Sequence, residues 1–192
     1  LLSPKVGQTG HHPMTSIRRT ALVEHSAARM FALVNDVAAY PRRFDWCEGA
    51  QVLEEGEGRK VARLDLRMGG LRTWFMTENT LVPPHHIDMR LIDGPFRKLG
   101  GRWEFHSLDE SACKVTLTLD FEPAVKLLGA AMAVGFQSLA DRMVDDFVRV
   151  ADHAAAGDAH LHDVDAGQHH FQQRWRGHAG RVTANVWCLR QS

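Results

Sequence analysis

Alternating apolar and polar residues predict a series of β-strands through the middle of the chain. The clearest case lies between residues 62 and 68, where Ala62, Leu64, Leu66 and Met68 alternate with charged residues. A strand with one buried and one solvent-facing side has this period of two. The predicted strands are Ile17 to Glu24, Gln51 to Glu54, Ala62 to Met68, Leu71 to Val82, Ile87 to Ile92, Arg102 to His106 and Lys114 to Phe121. Short turns between them, such as Gly69-Gly70, indicate antiparallel pairing.

A pair of short helices is predicted after the first strand. Ser26 is a good N-cap for a helix over Ala27 to Val34, because its hydroxyl can accept a hydrogen bond from a free backbone N–H. After Asn35-Asp36 a second helical segment runs from Val37 toward Tyr40, and we expect Pro41 to end it.

One long amphipathic helix is predicted to close the domain. Pro123 is tolerated in a first helical turn, and apolar residues then recur at spacings of three and four from Leu128 to Val150. We expect the apolar stripe of this helix to lie on the concave face of the sheet. The resulting order, β-αα-ββββββ-α, is that of the helix-grip fold. This is an α+β fold in which a curved antiparallel seven-stranded sheet wraps around a long C-terminal helix.

The two ends of the chain differ from its middle. Residues 1–14 are polar and aperiodic, and we interpret them as an N-terminal extension that is disordered or foreign to the natural protein. Residues 157–192 are rich in histidine and have no clear period. Three hypotheses stay open for this segment: a disordered native tail, a translation artefact, or a weak metal site. The folded domain is expected to span residues 15–156.

Composition excludes several classes of protein. Lys and Arg total 23, as do Asp and Glu, so the overall charge predicts no general affinity for polyanions such as DNA. Three cysteines are too few and too scattered for a disulfide framework or a zinc cluster, which favours a reducing compartment. No apolar run approaches the roughly 20 residues that span a bilayer.

Catalytic chemistry is not indicated. By strand alternation Asp65, Glu104, His106 and Asp120 are expected to face outward, which leaves the inward positions almost wholly apolar. Cys47 is interpreted either as a reactive thiol or as a small buried hydrophobic residue. We therefore expect no enzymatic activity, no catalytic residues and no metal.

The inward residues include several methionines, which fill irregular space and suit adaptable binding surfaces. Periodicity alone leaves two interpretations open, an ordinary core with methionine as filler or a cavity that holds a ligand. The methionines concerned are Met68, Met89, Met132 and Met143.

Several short motifs occur together in a fixed order. They are Val34-Asn35-Asp36-Val37, Tyr40-Pro41, Trp46-Cys47, Asp93-Gly94-Pro95-Phe96, Trp103-Glu104-Phe105 and Met143-Val144 with Phe147. This pattern, from Thr15 to Ala156, resembles the coenzyme-Q-binding and ribosome-association-toxin group of the polyketide-cyclase/START-like superfamily. The segment Arg42-Arg43-Phe44-Asp45 departs from the pattern, since a more apolar, Pro-containing stretch is usual there.

The resemblance implies two functions of different classes. Some relatives bind ubiquinone and support respiratory electron transport, whereas others are toxins that bind the large ribosomal subunit and block its association with the small one. We expect non-enzymatic binding of ubiquinone or a similar polyisoprenoid lipid, with the toxin of a toxin–antitoxin pair as the alternative. Ubiquinone is then a bound ligand, no cofactor is required, and DNA is not a partner. The expected location is the bacterial cytoplasm, with transient contact at the inner membrane.

Candidate site residues follow from the strand phase and the resemblance. The expected cavity residues are Phe31, Tyr40, Trp46, Leu64, Leu66, Phe75, Met89, Phe96, Trp103, Phe105, Leu119, Met132, Phe136, Leu139 and Met143. The expected contacts to the ribosome or to lipid headgroups are Arg42, Arg43, Arg97, Lys98 and Arg102, with an ordinary solvated face as the alternative. Phe96 is expected on a loop at one end of the cavity. Tyr40 is interpreted either as a ring that stacks on a quinone or as a core residue with its hydroxyl at the edge.

Overall fold

The structure is a computed structural model that describes residues 14–68, 70–124, 131 and 133–154. The chain divides into two units, Leu1–Ala151 and Asp152–Ser192, and the fold described below belongs to the first. The predicted tail over residues 157–192 lies outside the described residues, as do residues 1–13 of the predicted N-terminal extension.

Seven strands form one antiparallel sheet in the order β1-β7-β6-β5-β4-β3-β2. Consecutive strands from β2 to β7 are neighbours, and β1 returns to pair with β7, from Thr15 opposite Phe121 to Val23 opposite Cys113. The strands are β1 (Thr15–Val23), β2 (Cys47–Gly56), β3 (Arg59–Met68), β4 (Leu71–Val82), β5 (His86–Asp93), β6 (Phe96–Ser107) and β7 (Cys113–Pro123).

Two short helices and a 3₁₀ turn connect β1 to β2. They are α1 (Ala27–Asn35), the 3₁₀ turn (Val37–Ala39) and α2 (Tyr40–Arg43). The Ser26 hydroxyl accepts a hydrogen bond of 3.2 Å from the Arg29 N–H, which caps α1 as predicted. Pro41, however, lies in the first turn of α2 and does not end a helix. The prediction was wrong because the missing N–H of proline is not needed in a first turn.

The last helix, α3, covers residues 133–154. Its buried side is formed by Phe136, Leu139, Ala140, Val144, Phe147 and Ala151. This side packs on the sheet, for example where the rings of Phe136 and Phe121 lie 4.8 Å apart in an edge-to-face contact. The helix-grip fold is therefore confirmed.

The link from β7 toward the last helix differs from the expectation. Pro123 is the final residue of β7, opposite Phe96 in the register, and is not part of a helix. A proline at a strand end costs no ladder hydrogen bond that the strand needs, so this position suits it as well as a first helical turn does.

Phe96 is a strand residue and not a loop residue, which corrects the sequence interpretation. It begins β6 and is 5% exposed. The turn before it is shorter than expected because Gly94, at φ +142°, packs closely on β4, where a Cβ would lie 2.9 Å from that of Phe75. The tight turn lets β6 start directly after Pro95.

Strand β6 is also longer than predicted because Gly100 and Gly101 weaken its sequence signal. Gly101 lies opposite Met89 and Leu119, and a Cβ there would come 2.5 Å from the Thr118 carbonyl oxygen. The absence of a side chain at residue 101 is thus what allows β6 to continue through the sheet. Within the described ranges, no helix is both long and apolar enough to cross a bilayer.

Candidate ligand cavity and basic surface

A cavity of about 70 Å³ lies between the concave face of the sheet, the end of α1 and the last helix. Its walls are mainly aliphatic and aromatic, with contributions from six of the seven strands or the segments next to them. The lining residues are Val34, Asn35, Val37, Tyr40, Trp46, Ala62, Leu64, Phe75, Thr77, Asn79, Ile87, Met89, Leu99, Trp103, Leu117, Leu119, Phe136 and Met143.

The first aromatic cluster, Tyr40, Phe44, Trp46, Trp103 and Phe147, closes one side of the cavity. Phe44 stacks on Trp46 at 4.8 Å, and Phe147 meets the rings of Tyr40 and Trp103 edge to face at 5.3 Å each. Such pairs stabilise the fold by about 0.5–1.5 kcal/mol each beyond the burial of their area. The cluster therefore holds α2, the start of β2 and the last helix in a fixed arrangement.

The Tyr40 hydroxyl is occupied within this cluster. It donates a hydrogen bond of 2.5 Å to the Val34 carbonyl oxygen, and burial raises the pKa of the phenol far above its ordinary value. Tyr40 thus lines the cavity with its ring, while its O–H is committed to the backbone of α1.

The second aromatic cluster comprises Phe75, Phe96, Phe121 and Phe136. Phe96 lies 5.0 Å from Phe136 and 6.2 Å from Phe75, ring centre to ring centre. Of the four, Phe75 and Phe136 line the cavity, whereas Phe96 and Phe121 pack behind them.

Polar groups gather where β3 and β4 meet the end of α1. Asn35, Thr77 and Asn79 line the cavity there, and Lys60 is paired with Asn79 in the strand register. The buried Lys60 Nζ donates to the Asn35 carbonyl oxygen and forms an ion pair with Glu55, each at 2.9 Å. This polar end breaks the expectation of an almost wholly apolar interior.

The predicted cavity residues divide into three groups. Those that line the cavity are Tyr40, Trp46, Leu64, Phe75, Met89, Trp103, Leu119, Phe136 and Met143. Those buried in the core without lining it are Phe31, Leu66, Phe96, Phe105 and Leu139. Met132 lies outside the described residues.

Sequence reasoning missed Thr77 and Asn79, although a signal for them existed. Both follow Phe75 along β4 at the strand period of two, so they share its inward face. The signal was obscured because the opposite face of β4 also carries large apolar residues, Trp74 and Met76.

The five predicted basic contacts differ in how far their charge is neutralised. Arg43 pairs with Asp36 at 2.9 Å, Arg97 with Glu122 at 3.9 Å, and Arg102 with Asp88 through two hydrogen bonds. Arg42 and Lys98 are exposed and form no ion pair within the described part of the chain. These two cations are therefore the ones available to an external anion.

The basic residues border two different grooves. Arg97 and Lys98 lie at a groove between β5 and β6, whose pairing stops at Arg90 and Gly100. Arg43 borders a second groove, together with Arg142 and Arg149 of the last helix. Leu99 lines both the first groove and the internal cavity, so one side chain separates the cavity from the β5–β6 surface.

The groups weighed for catalysis lie away from the cavity. Asp65, Glu104, His106 and Asp120 are not among its lining residues. Cys47 is 4% exposed, and burial raises the pKa of its thiol to about 11. A thiol with so high a pKa carries little thiolate near neutral pH, which favours the interpretation of Cys47 as a buried hydrophobic residue.

The curved sheet, the covering helix and the enclosed cavity define a protein of the helix-grip class. Its sequence narrows the class further. The chain belongs to the family described as polyketide cyclase / dehydrase and lipid transport, whose sequence profile matches residues 23–148.

Several relatives share most of the chain. The ribosome association toxin RatA of Vibrio cholerae is 46% identical over 138 residues, which are 72% of this chain and 96% of the relative. RatA of Pseudomonas aeruginosa is 44% identical, covering 71% of this chain and 95% of that protein. RatA of Escherichia coli is 42% identical, with coverages of 70% and 85%.

Solved structures share the fold at lower identity. The Zhui aromatase/cyclase of Streptomyces sp. R1128 matches with a TM-score of 0.68 and 20% identity, covering 74% of this chain and 96% of that one. An 18 kDa protein of Caulobacter crescentus matches with a TM-score of 0.59 and 24% identity, covering 74% and 99%. At these identities the likeness shows the fold alone.

Proposed function

We propose that this protein acts on the ribosome by binding the large subunit and blocking its association with the small one. The observation that carries the proposal is the identity of 42–46% to proteins named ribosome association toxin, over 85–96% of their length. The proposed action is stoichiometric binding and involves no catalysis.

The surface offers a physical basis for contact with ribosomal RNA. A protein gains affinity for a phosphate backbone when its cations replace condensed counterions, and cations already paired with carboxylates contribute less. Arg42 and Lys98 are exposed and unpaired within the described residues, so they are the proposed phosphate contacts. Arg102 is held by Asp88 and is expected to contribute less.

The test is the rate at which purified bacterial subunits associate, followed by light scattering in the presence of the protein. The wild-type protein should slow association, and Arg42→Ala/Lys98→Ala should do so only at higher concentration. The binding constant for the large subunit, Kobs, should also depend less on salt. Loss of two phosphate contacts should make the negative slope of log Kobs against log salt concentration shallower by about 1.5–2.

A matched control is Arg67→Ala/Arg72→Ala, which removes two exposed arginines that are both paired with Glu48 and line neither groove. This variant should inhibit association like the wild type. A wild-type protein that leaves association unchanged contradicts the proposed function. Equal weakening in the two double variants contradicts only the assignment of Arg42 and Lys98.

The second candidate function is binding of ubiquinone or a similar polyisoprenoid lipid, and its structural basis is the enclosed, mainly apolar cavity. A volume of about 70 Å³ is small beside ligand pockets, which usually measure roughly 300–1,000 Å³. A long lipid must therefore displace side chains as it enters. Met89 and Met143 line the cavity, and unbranched thioether chains rearrange readily. A carrier of this kind would work in the bacterial cytoplasm and touch the inner membrane while it loads.

This second function is tested by isolating the protein from bacterial cells without detergent and identifying bound lipids by mass spectrometry. Quinone in the wild-type protein, with less in a cavity-filling Ala62→Val variant, is the expected result. Equal amounts in both proteins would indicate binding at the surface, and absence of quinone from the wild type would contradict the second function.

A further inference from the structure

Asn79 carries a buried polar group without a partner. The residue is 7% exposed and lines the cavity from β4. Its Oδ1 is inaccessible to solvent and has no hydrogen-bond partner among the described residues. Buried polar side-chain atoms usually have a partner, so this oxygen requires an explanation.

The neighbouring groups do not satisfy Asn79. In the register its partners are Lys60 on β3 and Met89 on β5. The Lys60 ammonium is engaged with the Asn35 carbonyl oxygen and with Glu55. The ammonium group of its register partner Lys60 is thus already used.

The Tyr40 hydroxyl has no free proton to donate to a ligand. It donates to the Val34 carbonyl oxygen at 2.5 Å, so the cavity presents the tyrosine ring and not its O–H. At this end of the cavity, Asn79 Oδ1 is the buried side-chain atom that lacks a partner among the described residues.

We propose that the cavity binds an apolar molecule bearing a hydroxyl or N–H group, which donates a hydrogen bond to Asn79 Oδ1. This inference rests on the second candidate function, because it assumes that the cavity takes a ligand, and it adds the chemical class of that ligand. An apolar residue of the same size would avoid the cost of an unpaired amide, and the cost disappears when a donor enters.

The inference distinguishes the two redox forms of a quinone. An oxidised quinone ring carries only acceptors, whereas the quinol carries two O–H donors. Within that ligand class the contact to Asn79 Oδ1 favours the reduced form, whose O–H groups can donate to it. Small phenols follow the same rule, and they suit a cavity of about 70 Å³ better than a polyisoprenoid does.

The experiment compares two probes that differ in one donor. The ¹⁵N-labelled full-length protein is titrated with 4-ethylphenol and with 4-ethylanisole, its methyl ether, and dissociation constants are taken from shifts of resonances of cavity-lining residues. The phenol should bind about tenfold more tightly, because the ether leaves the Asn79 oxygen unpaired. The side-chain amide signal of Asn79 should move with the phenol only.

The Asn79→Leu variant should bind both probes with similar affinity, and the ether at least as tightly as the wild type does. Thr80→Val is the matched control, since Thr80 is the next residue on β4 and is exposed on its other face. It should keep the tenfold preference.

The outcomes separate the two levels of the proposal. If neither probe binds the wild-type protein, both the cavity function and this inference fail. If both probes bind equally, or if Asn79→Leu keeps the preference, the cavity function stands and the assignment of Asn79 is wrong. The wild-type comparison decides the matter even if the leucine variant does not fold.

Discussion

The indole Nε1 of Trp46 donates a hydrogen bond of 3.0 Å to Oδ2 of Asp146, which ties the segment before β2 to the middle of the last helix. Trp46 is 3% and Asp146 is 8% exposed. The other carboxylate oxygen of Asp146 accepts a hydrogen bond from Arg149. Because Trp46 also lines the cavity, this bond fixes the helix against the wall formed by the first aromatic cluster.

The Trp46→Phe substitution should therefore destabilise the protein by about 1.5–3 kcal/mol, as expected for loss of a buried hydrogen bond to a charged group. Urea unfolding followed by circular dichroism measures the change. The matched control is Trp74→Phe, where the indole lies on the outer face of β4 with Arg63 at 4.3 Å from its ring centre. Its cost should stay below about 1 kcal/mol. Equal losses in the two variants would show that the Asp146 bond contributes little.

The sheet could be predicted because most of its strands have one face exposed to solvent and one face buried. Residues 62–68 alternate cleanly, and they form the C-terminal part of β3, with Leu66 at 1% and Met68 at 6% exposed. The apolar repeat of the last helix was equally visible, since that helix presents one stripe to one partner. The alternation in the strands and the spacing of three and four in the last helix together predict the order of elements of the helix-grip fold.

The prolines were misplaced because their local requirements do not select one structure. Proline lacks an N–H and fixes φ, so it suits the first turn of a helix and the end of a strand alike. Pro41 lies in the first turn of α2 and Pro123 ends β7, the opposite of each expectation. Tertiary packing decides between the two, and the local sequence around each proline does not reveal it.

The walls of the cavity could be predicted only in part, for a reason of volume. Leu64 and Leu66 lie on the same face of β3, yet Leu64 lines the cavity and Leu66 is packed in the core. Alternation reports which face is buried but not where side chains fail to fill the space between sheet and helix. Whether space remains there depends on how side chains from strands far apart in the sequence pack against one another.

Filling the cavity should stabilise the protein and weaken ligand binding. Ala62 is 2% exposed, lines the cavity and faces Thr77 across the sheet. Since an unfilled cavity costs about 24 cal/mol per Å³, closing part of it with Ala62→Val should raise the free energy of unfolding by about 0.5–1.5 kcal/mol. The affinity for 4-ethylphenol should fall at the same time.

Ala50→Val is the control for Ala62→Val, because Ala50 packs against the core from β2 without lining the cavity. It should leave the affinity for 4-ethylphenol unchanged. If Ala62→Val lowers stability and leaves ligand affinity intact, the space is already occupied or lies elsewhere.

Gly101 should tolerate no side chain. In Gly101→Ala the new Cβ would lie 2.5 Å from the Thr118 carbonyl oxygen and 2.9 Å from Leu119 Cδ1. Such overpacking costs about 1–3 kcal/mol, and it should appear as a lower melting temperature. At the neighbouring Gly100 the nearest atom is the Met89 carbonyl oxygen at 3.3 Å, so Gly100→Ala should change stability by less than about 1 kcal/mol. A melting temperature lowered more by Gly100→Ala than by Gly101→Ala would contradict the β6 packing.

The thiol of Cys47 should make stability decline at alkaline pH. Burial raises its pKa from 9.0 to about 11, and in the folded state its Sγ donates a hydrogen bond to the Gly49 carbonyl oxygen. Because the folded state holds the proton more tightly than the unfolded state, the stabilisation is complete below about pH 9 and is lost as the pH rises through about 11. Cys47→Ala should therefore lose less stability than the wild type between pH 8 and pH 11, measured by urea unfolding at each pH. Cys113, whose pKa is also raised by burial, remains in both proteins and cancels in the comparison. Below pH 9 Cys47 should also resist iodoacetamide in the folded protein and react after unfolding. Rapid alkylation of native Cys47 at pH 8 would restore the interpretation of this residue as a reactive thiol.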